Sequence, residues 1–291
     1  MKLNENKTQA ECILCGNKHH IEIKNKNANS FEICTSCGII RNIDLTQKTQ
    51  EFEIKNKFSI SKIKLVRALN QAKFLLEQIT KFIEPPKFLL DISARNGVFA
   101  NLAKDKNFNV IATEENPNYA NFIRNTFGLT TLNDNIFNIN FSQKFDIITI
   151  LNSFCDYQKP FNLLEKINLS IKENGILLLG FRDIENPKVS PKRLFSNEIS
   201  YFFNYENLKW LLFKAGFEII DDFSQEFSNF RYFTCKRVRK PNSAVTIPLK
   251  ENFEKIFHIT SEYNSENYYK NSSPYNKFAY KIKTYPKEYF S

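Results

Sequence analysis

The sequence predicts an α/β chain in which helices wrap a parallel sheet, preceded by a small module built around cysteines. Two observations predict it. From Lys87 onward short apolar runs alternate with amphipathic segments, the pattern of strands buried on both faces and the helices that cover them. Before Asp44, four of the six cysteines fall into two CxxC pairs, Cys12 with Cys15 and Cys34 with Cys37.

The cysteine spacing is C-x2-C-x18-C-x2-C, within the range of four-cysteine zinc sites. Two cysteines three apart in a tight knuckle aim both thiolates at one ion at about 2.3 Å, and Gly16 and Gly38 let each knuckle turn. Four thiolates complete a tetrahedron, so the expected role is structural. His19 and His20 lie nearby and are expected at the surface. The first residues, "MKLNENKTQAE", lack the apolar core of a secretory signal, so a cytoplasmic location and metal-bound cysteines are expected rather than disulfides. Between the pairs, "HHIEIKNKNANSFEI" reads as two brief strands with a turn near 27–29.

From Ser59 to Ile83 the residues Ile63, Val66, Leu69, Leu76, Ile79 and Ile83, with Ala68 and Ala72 filling in, recur at helical steps, and Pro85 and Pro86 end the helix. Strands are expected at 87–93, 108–113, 129–132, 145–151 and 175–181, with helices at 96–104, 117–127 and 160–172. A helix over 204–216 with Gly216 as C-cap leads to two strands, "FEIIDDF" and "FRYFTCKRV", which close the sheet by antiparallel pairing. The expected division is a zinc ribbon (1–45), a helical linker (46–86), the sheet domain (87–237) and a basic, tyrosine-rich extension (238–291) containing one short helix.

The formal net charge of +10 is concentrated at the end, where Arg231 to Ser291 holds 12 Lys or Arg against 5 Glu, a surplus of +7. Two readings stay open there: a contact surface for nucleic acid, with the tyrosines stacking on bases, or a solvated, packed tail. No apolar run reaches the roughly 18 to 20 residues of a spanning helix, so no membrane span is expected.

The motifs from "LLDIS" through "VIATEENP" and "FDIITILNSF" to "PFNLLEKINLSIKENGILLLGF" resemble those of a class I S-adenosylmethionine-dependent methyltransferase, over about Lys87 to Arg237. Glu173, Asn174 and Gly175 occupy the turn that the family writes L-K-x-G-G. A four-cysteine ribbon joined by a helix to such a domain is also similar to a group of bacterial methyltransferases. The resemblance implies a Rossmann-like sheet with helices on both faces and S-adenosylmethionine as cofactor. It implies that Asp91 and the loop Ser93 to Gly97 hold the methionine part and that Glu114 takes the ribose hydroxyls. It further implies that Asp134 meets the adenine amino group and that Asn152 to Tyr157 border the methyl. Each also has a plain structural reading: Asp91 as a helix cap, Glu114 as a loop acid, Asp134 as a turn residue.

The resemblance breaks at the glycines. The family loop reads D-x-G-x-G-x-G, and here those positions are Asp91, Ser93, Arg95 and Gly97. Arg95 either pairs with the cofactor carboxylate or fills the pocket. Methyl transfer from a sulfonium needs in-line positioning and, for an oxygen or nitrogen acceptor, removal of a proton; Asp156 and Tyr157 are candidate bases by location. The expected function is methyl transfer to a small molecule such as a sugar, with two alternatives, a non-enzymatic scaffold and an RNA methyltransferase.

Overall fold

The computed structural model describes residues 4–7, 11–24, 30–46, 61–196, 198–224, 230–239, 249–263, 265–270, 275 and 278. In chain order, the first part holds β1 (Asn4–Lys7), β2 (His19–Lys24), β3 (Ser30–Cys34), β4 (Ile40–Asn42) and the single turn α1 (Ile43–Thr46). There follow α2 (Lys62–Thr80), β5 (Phe88–Ile92), α3 (Val98–Asp105), β6 (Asn109–Thr113), α4 (Pro117–Phe127), β7 (Thr130–Leu132) and β8 (Phe145–Ile150). The remainder is α5 (Pro160–Ser170), β9 (Ile171–Arg182), α6 (Pro191–Leu194), β10 (Tyr201–Phe202), α7 (Tyr205–Lys214), β11 (Phe217–Ser224), β12 (Phe230–Arg237), α8 (Lys250–Glu262) and α9 (Ser265–Lys270).

The large sheet has the order β11-β12-β9-β8-β5-β6-β7. β6, β5, β8 and β9 run parallel, and β12 pairs antiparallel with both β9 and β11, as the sequence predicts. Strand order reverses at β5: the chain goes outward through β6 and β7, then returns to β8 on the other side. Residues of opposite parity face opposite layers. Leu90, Ile92, Ile148, Ile150, Leu177 and Leu179 belong to one apolar cluster with α5 and α7, whereas Leu89, Ile147 and Leu178 belong to a second with α2 and α3. Among the described residues no helix is long and apolar enough to cross a membrane.

The small sheet, β1-β2-β3-β4-β10, takes its last strand from far along the chain. Tyr201 and Phe202, in the insertion between β9 and α7, pair antiparallel with Arg41 and Ile40 of β4. Its core residues Leu14, Phe31, Ile33 and Ile40 belong to the same apolar cluster as the first face of the large sheet. Phe31 packs on Phe195 and Phe202 with ring centroids 5.4 and 5.6 Å apart. Each such buried ring contributes on the order of 2 to 3 kcal/mol, which the small sheet could not obtain alone.

Three expectations are corrected. Leu69 is exposed, because the stripe of α2 that packs inward is turned toward Leu65, Ala68, Ala72, Leu75, Leu76 and Ile79. β9 begins at Ile171 rather than 175: Ile171 pairs with Phe145 and Ile176 with Ile147, so residues 172–175 form a bulge inside one strand. His20 is buried, since it pairs in register with Cys34 and lies beside Cys12, Arg41 and Tyr201. The turn expected at 27–29 lies outside the described residues.

Gly180 of β9 lets the chain leaving β8 approach closely beside it. An added Cβ would overlap the carbonyl oxygen of Leu151 and come within 2.7 Å of the Tyr232 ring. The Gly180→Ala variant is therefore expected to lose about 1 to 3 kcal/mol of stability through overpacking, read as a lower midpoint in urea unfolding.

Candidate metal centre and cofactor cleft

The two knuckles repeat one geometry. The N–H of Gly16 donates to Cys12 C=O and that of Gly38 to Cys34 C=O, each at 2.9 Å, and both glycines have φ of 74°. The four sulfurs lie within 4.8 Å of one another, with Cys12–Cys37 and Cys15–Cys34 each at 3.5 Å. Zinc–sulfur bonds of about 2.3 Å set the edges of a tetrahedron at about 3.8 Å, so the spacing fits the ion. Without a cation the sulfurs compete for protons through their mutual contacts, which raise the thiols of Cys12 and Cys37 and lower those of Cys15 and Cys34. A divalent ion relieves that conflict, and a closed set of four thiolates leaves it no open position.

The second site lies where strand order reverses, beyond the carboxyl ends of β5, β6 and β8. Asp91 sits in register with Ala112 and Thr149, buried, and accepts the Thr149 hydroxyl at 2.6 Å. Burial raises its carboxyl to about 7; the Thr149 bond lowers it and the charge of Glu114 raises it further.

The loop after β5 keeps a glycine-like path with few glycines. Ser93, Arg95 and Gly97 have φ of 55°, 53° and 68°, so the left-handed backbone persists at three alternate positions. For Ser93 and Arg95 this costs on the order of 1 kcal/mol each. Gly97 is the residue that could not change, because a Cβ there would stand 2.7 Å from Ile123 Cγ1.

Neighbouring segments hold the strained path. Glu114, directly after β6, accepts the Arg95 N–H at 2.8 Å through one oxygen and the Asn116 N–H at 3.0 Å through the other. Burial raises the Glu114 carboxyl, while those two amides and the Arg95 charge lower it. Ala94 and Ser93 donate to the carbonyl and hydroxyl of Thr113 at 3.0 and 3.3 Å. The Ser93 hydroxyl meets that of Tyr157 at 2.7 Å, and the Arg95 guanidinium reaches Asp156 at 3.1 Å. Arg95 thus spans from the loop to the turn after β8.

That turn is a single 3-10 turn over Phe154–Asp156. Asp156 holds Arg95 with one oxygen and Arg182 with the other, at 2.9 Å; burial raises its carboxyl, and Arg182 and Arg95 lower it. Burial raises the Tyr157 phenol, so its proton is held tightly. Asp134 is exposed in the loop after β7, accepting the N–H of Asn135 and the side-chain amide of Asn138.

The cleft that these segments border is lined by Ala68, Gln71, Asp91, Ser93, Arg95 and Asn152, among others. The structure therefore gathers Asp91, Ser93, Arg95 and Asn152 around one space, with Gly97 and Glu114 behind it. Gln71 of α2 was not singled out from the sequence. It donates to the Tyr232 hydroxyl and to Asn152 at 3.4 Å, and its signal was a polar side chain one turn before Leu75 on an apolar stripe. Asn133 was also missed; its amide ties the loop after β7 to the carbonyls of Glu114 and Glu115 at 2.8 and 2.9 Å.

The strand order, the loop after β5 and the acid after β6 define a class I methyltransferase fold. A family model described as a methyltransferase domain matches residues 67–222, and the chain belongs to that family. Among solved structures, an S-adenosylmethionine-dependent methyltransferase from Clostridium acetobutylicum aligns with a TM-score of 0.50 at 15% identity, over 60% of this chain and 96% of that one. A methyltransferase of Thermotoga maritima aligns at 20% identity with a TM-score of 0.48, over 64% of this chain and 98% of that one. Among curated proteins no relative matches.

The purified protein is expected to carry one zinc per chain by elemental analysis. Cys37→Ser should lose the metal and lower the melting temperature, because the small sheet then loses its cross-link.

Proposed function

We propose that the protein is an S-adenosylmethionine-dependent methyltransferase acting on a small-molecule acceptor. The observation that carries the reading is the left-handed path of Ser93, Arg95 and Gly97, held against Glu114 at the point of strand reversal. This geometry supports close approach of a ligand to backbone, even though two side chains replace glycine. The family membership supports it independently.

In this reading Asp91, Ser93, Arg95, Gly97 and Asn152 surround the methionine part of the cofactor. Glu114 uses its remaining lone pairs for the ribose hydroxyls, and Asp134 stands toward the adenine. The bound cofactor supplies the electrophilic methyl. The chain's own task is to orient the acceptor and exclude water. Asp156, held between two guanidiniums, and Tyr157, with its raised phenol, suit positioning better than proton abstraction.

One observation favours a second reading, a binding scaffold without catalysis: Arg95 and Ser93 bridge to Asp156 and Tyr157 across the mouth, so the chain's own side chains occupy ligand positions. Calorimetric titration with S-adenosylmethionine separates the two. Binding at micromolar cofactor, weakened or unchanged by Arg95→Gly, is the expected result. No binding at millimolar cofactor by the wild type, with binding appearing in Arg95→Gly, would establish the scaffold instead. Of the basic residues on which an RNA substrate would depend, Lys240, Lys277, Lys281, Lys283 and Lys287 lie outside the described residues.

Asp91 also sets a pH dependence. Its folded value of about 7 lies above the unconstrained 3.8, so the stability it lends is complete below about pH 4 and is lost as pH rises through 7. A cationic ligand beside it favours the charged form. Cofactor affinity should therefore rise from pH 5.5 to 7.5, by up to about tenfold per unit, with proton release in calorimetry; Asp91→Asn should flatten that profile.

A further inference from the structure

Ser200 is fully buried and divides its polar groups between two parts of the molecule. Its carbonyl accepts the N–H of Asn42 in β4 at 2.8 Å. On the other side its N–H donates to the Cys155 carbonyl at 2.9 Å, and its hydroxyl donates to the Asp156 carbonyl at 2.8 Å. β10 begins at the next residue and continues the small sheet along β4. β4 in turn follows the second knuckle directly, with the Cys34 N–H donating to Ile39 C=O at 2.9 Å. The turn on the far side carries Asp156, which grips Arg95 of the cleft loop. Hydrogen bonds and ion pairs thus lead from the cysteine site to the cleft through one residue.

A further brace reaches the knuckle from α8. Asn252 of α8 donates to Cys37 C=O at 2.8 Å and accepts from Asn204 at 2.6 Å, and Asn204 caps α7 at the end of the same insertion. Both routes run from the knuckle into the segment between β9 and α7. The small sheet shares its core with the large one, and a cross-link of the four cysteines adds a second hold on β4, the template for β10.

We propose that Ser200 is a positioning residue that couples metal occupancy of the cysteine site to the turn over residues 153–157 and, through Asp156 and Arg95, to the cofactor cleft. When the metal leaves, β4 loosens, Ser200 loses its carbonyl partner, and the turn is no longer pinned from the ribbon side. Coupling of this kind is reciprocal, so a bound cofactor also retards metal loss. The effect on the turn stands alone; the effect on affinity rests on the methyltransferase reading.

Hydrogen exchange on the full chain tests it, comparing zinc-loaded with chelator-treated protein. The Asp156 and Tyr157 amides, bonded to Ser153 and Phe154, should exchange about tenfold faster after chelation while β6 and β7 keep their rates. Ser200→Ala, with zinc content unchanged, loses the hydroxyl bond to Asp156 C=O but keeps both backbone bonds, so it should produce a smaller rise at the same amides without chelation. S-adenosylhomocysteine should bind about tenfold more weakly after chelation and less weakly than that in Ser200→Ala. Unchanged exchange at 153–157 after chelation would overturn the coupling, as would an equal rise in β6. A Ser200→Ala protein that exchanges like the wild type would overturn the part assigned to the Ser200 side chain. Absence of any S-adenosylhomocysteine binding by the loaded wild type would overturn the methyltransferase reading alone, because the exchange result is obtained without ligand.

Discussion

Glu114 leaves β6 where its two carboxylate oxygens meet two backbone N–H groups, one from the loop after β5 and one from the start of α4. Among the left-handed residues of the loop, Gly97 donates to Ala94 C=O, whereas the N–H groups of Ser93 and Arg95 go to the Thr113 hydroxyl and to this carboxylate, which hold the path open. Asp91 below it, Gly97 against Ile123 and the spread of Arg95 toward Asp156 all follow from that path. A carboxylate in this position does two jobs, since it shapes the loop with one set of lone pairs and leaves the others toward the space where strand order reverses.

The regular part of the large sheet was legible in the sequence because its signals are local. Strands buried on both faces appear as apolar runs, and the helices between them carry their own caps, such as Asn116 ahead of Pro117. The cysteine site was legible for the same reason, since four like residues at fixed spacing need no tertiary context. The loop after β5 was legible in position but not in conformation. Glycine is the usual mark of left-handed backbone, and Ser93 and Arg95 adopt it without that mark because Glu114 and Thr113 compensate.

What escaped is what depends on distant partners. β10 is only two residues long, and nothing in "YF" announces a strand; it exists because β4 offers an edge. Ser200 and Asn252 resemble any loop serine and helix asparagine until their partners are known. The stripe of α2 was read with Leu69 inside beside Ala68 and Ala72, whereas the packed face runs through Leu65, Ala68, Ala72, Leu75, Leu76 and Ile79 and leaves Leu69 exposed.

The bond between Asn252 and the second knuckle joins residues 215 apart in sequence, and Lys214 reaches Leu14 across 200. The module is therefore synthesised ahead of the large sheet but completed only after it. Its cysteines can gather an ion early, but the apolar faces of Phe31 and Ile33 stay uncovered until the insertion and α8 arrive. Long separations of this kind slow folding and lengthen the time that sticky surface is exposed, which makes early capture of the ion a safeguard during synthesis as well as a brace afterward.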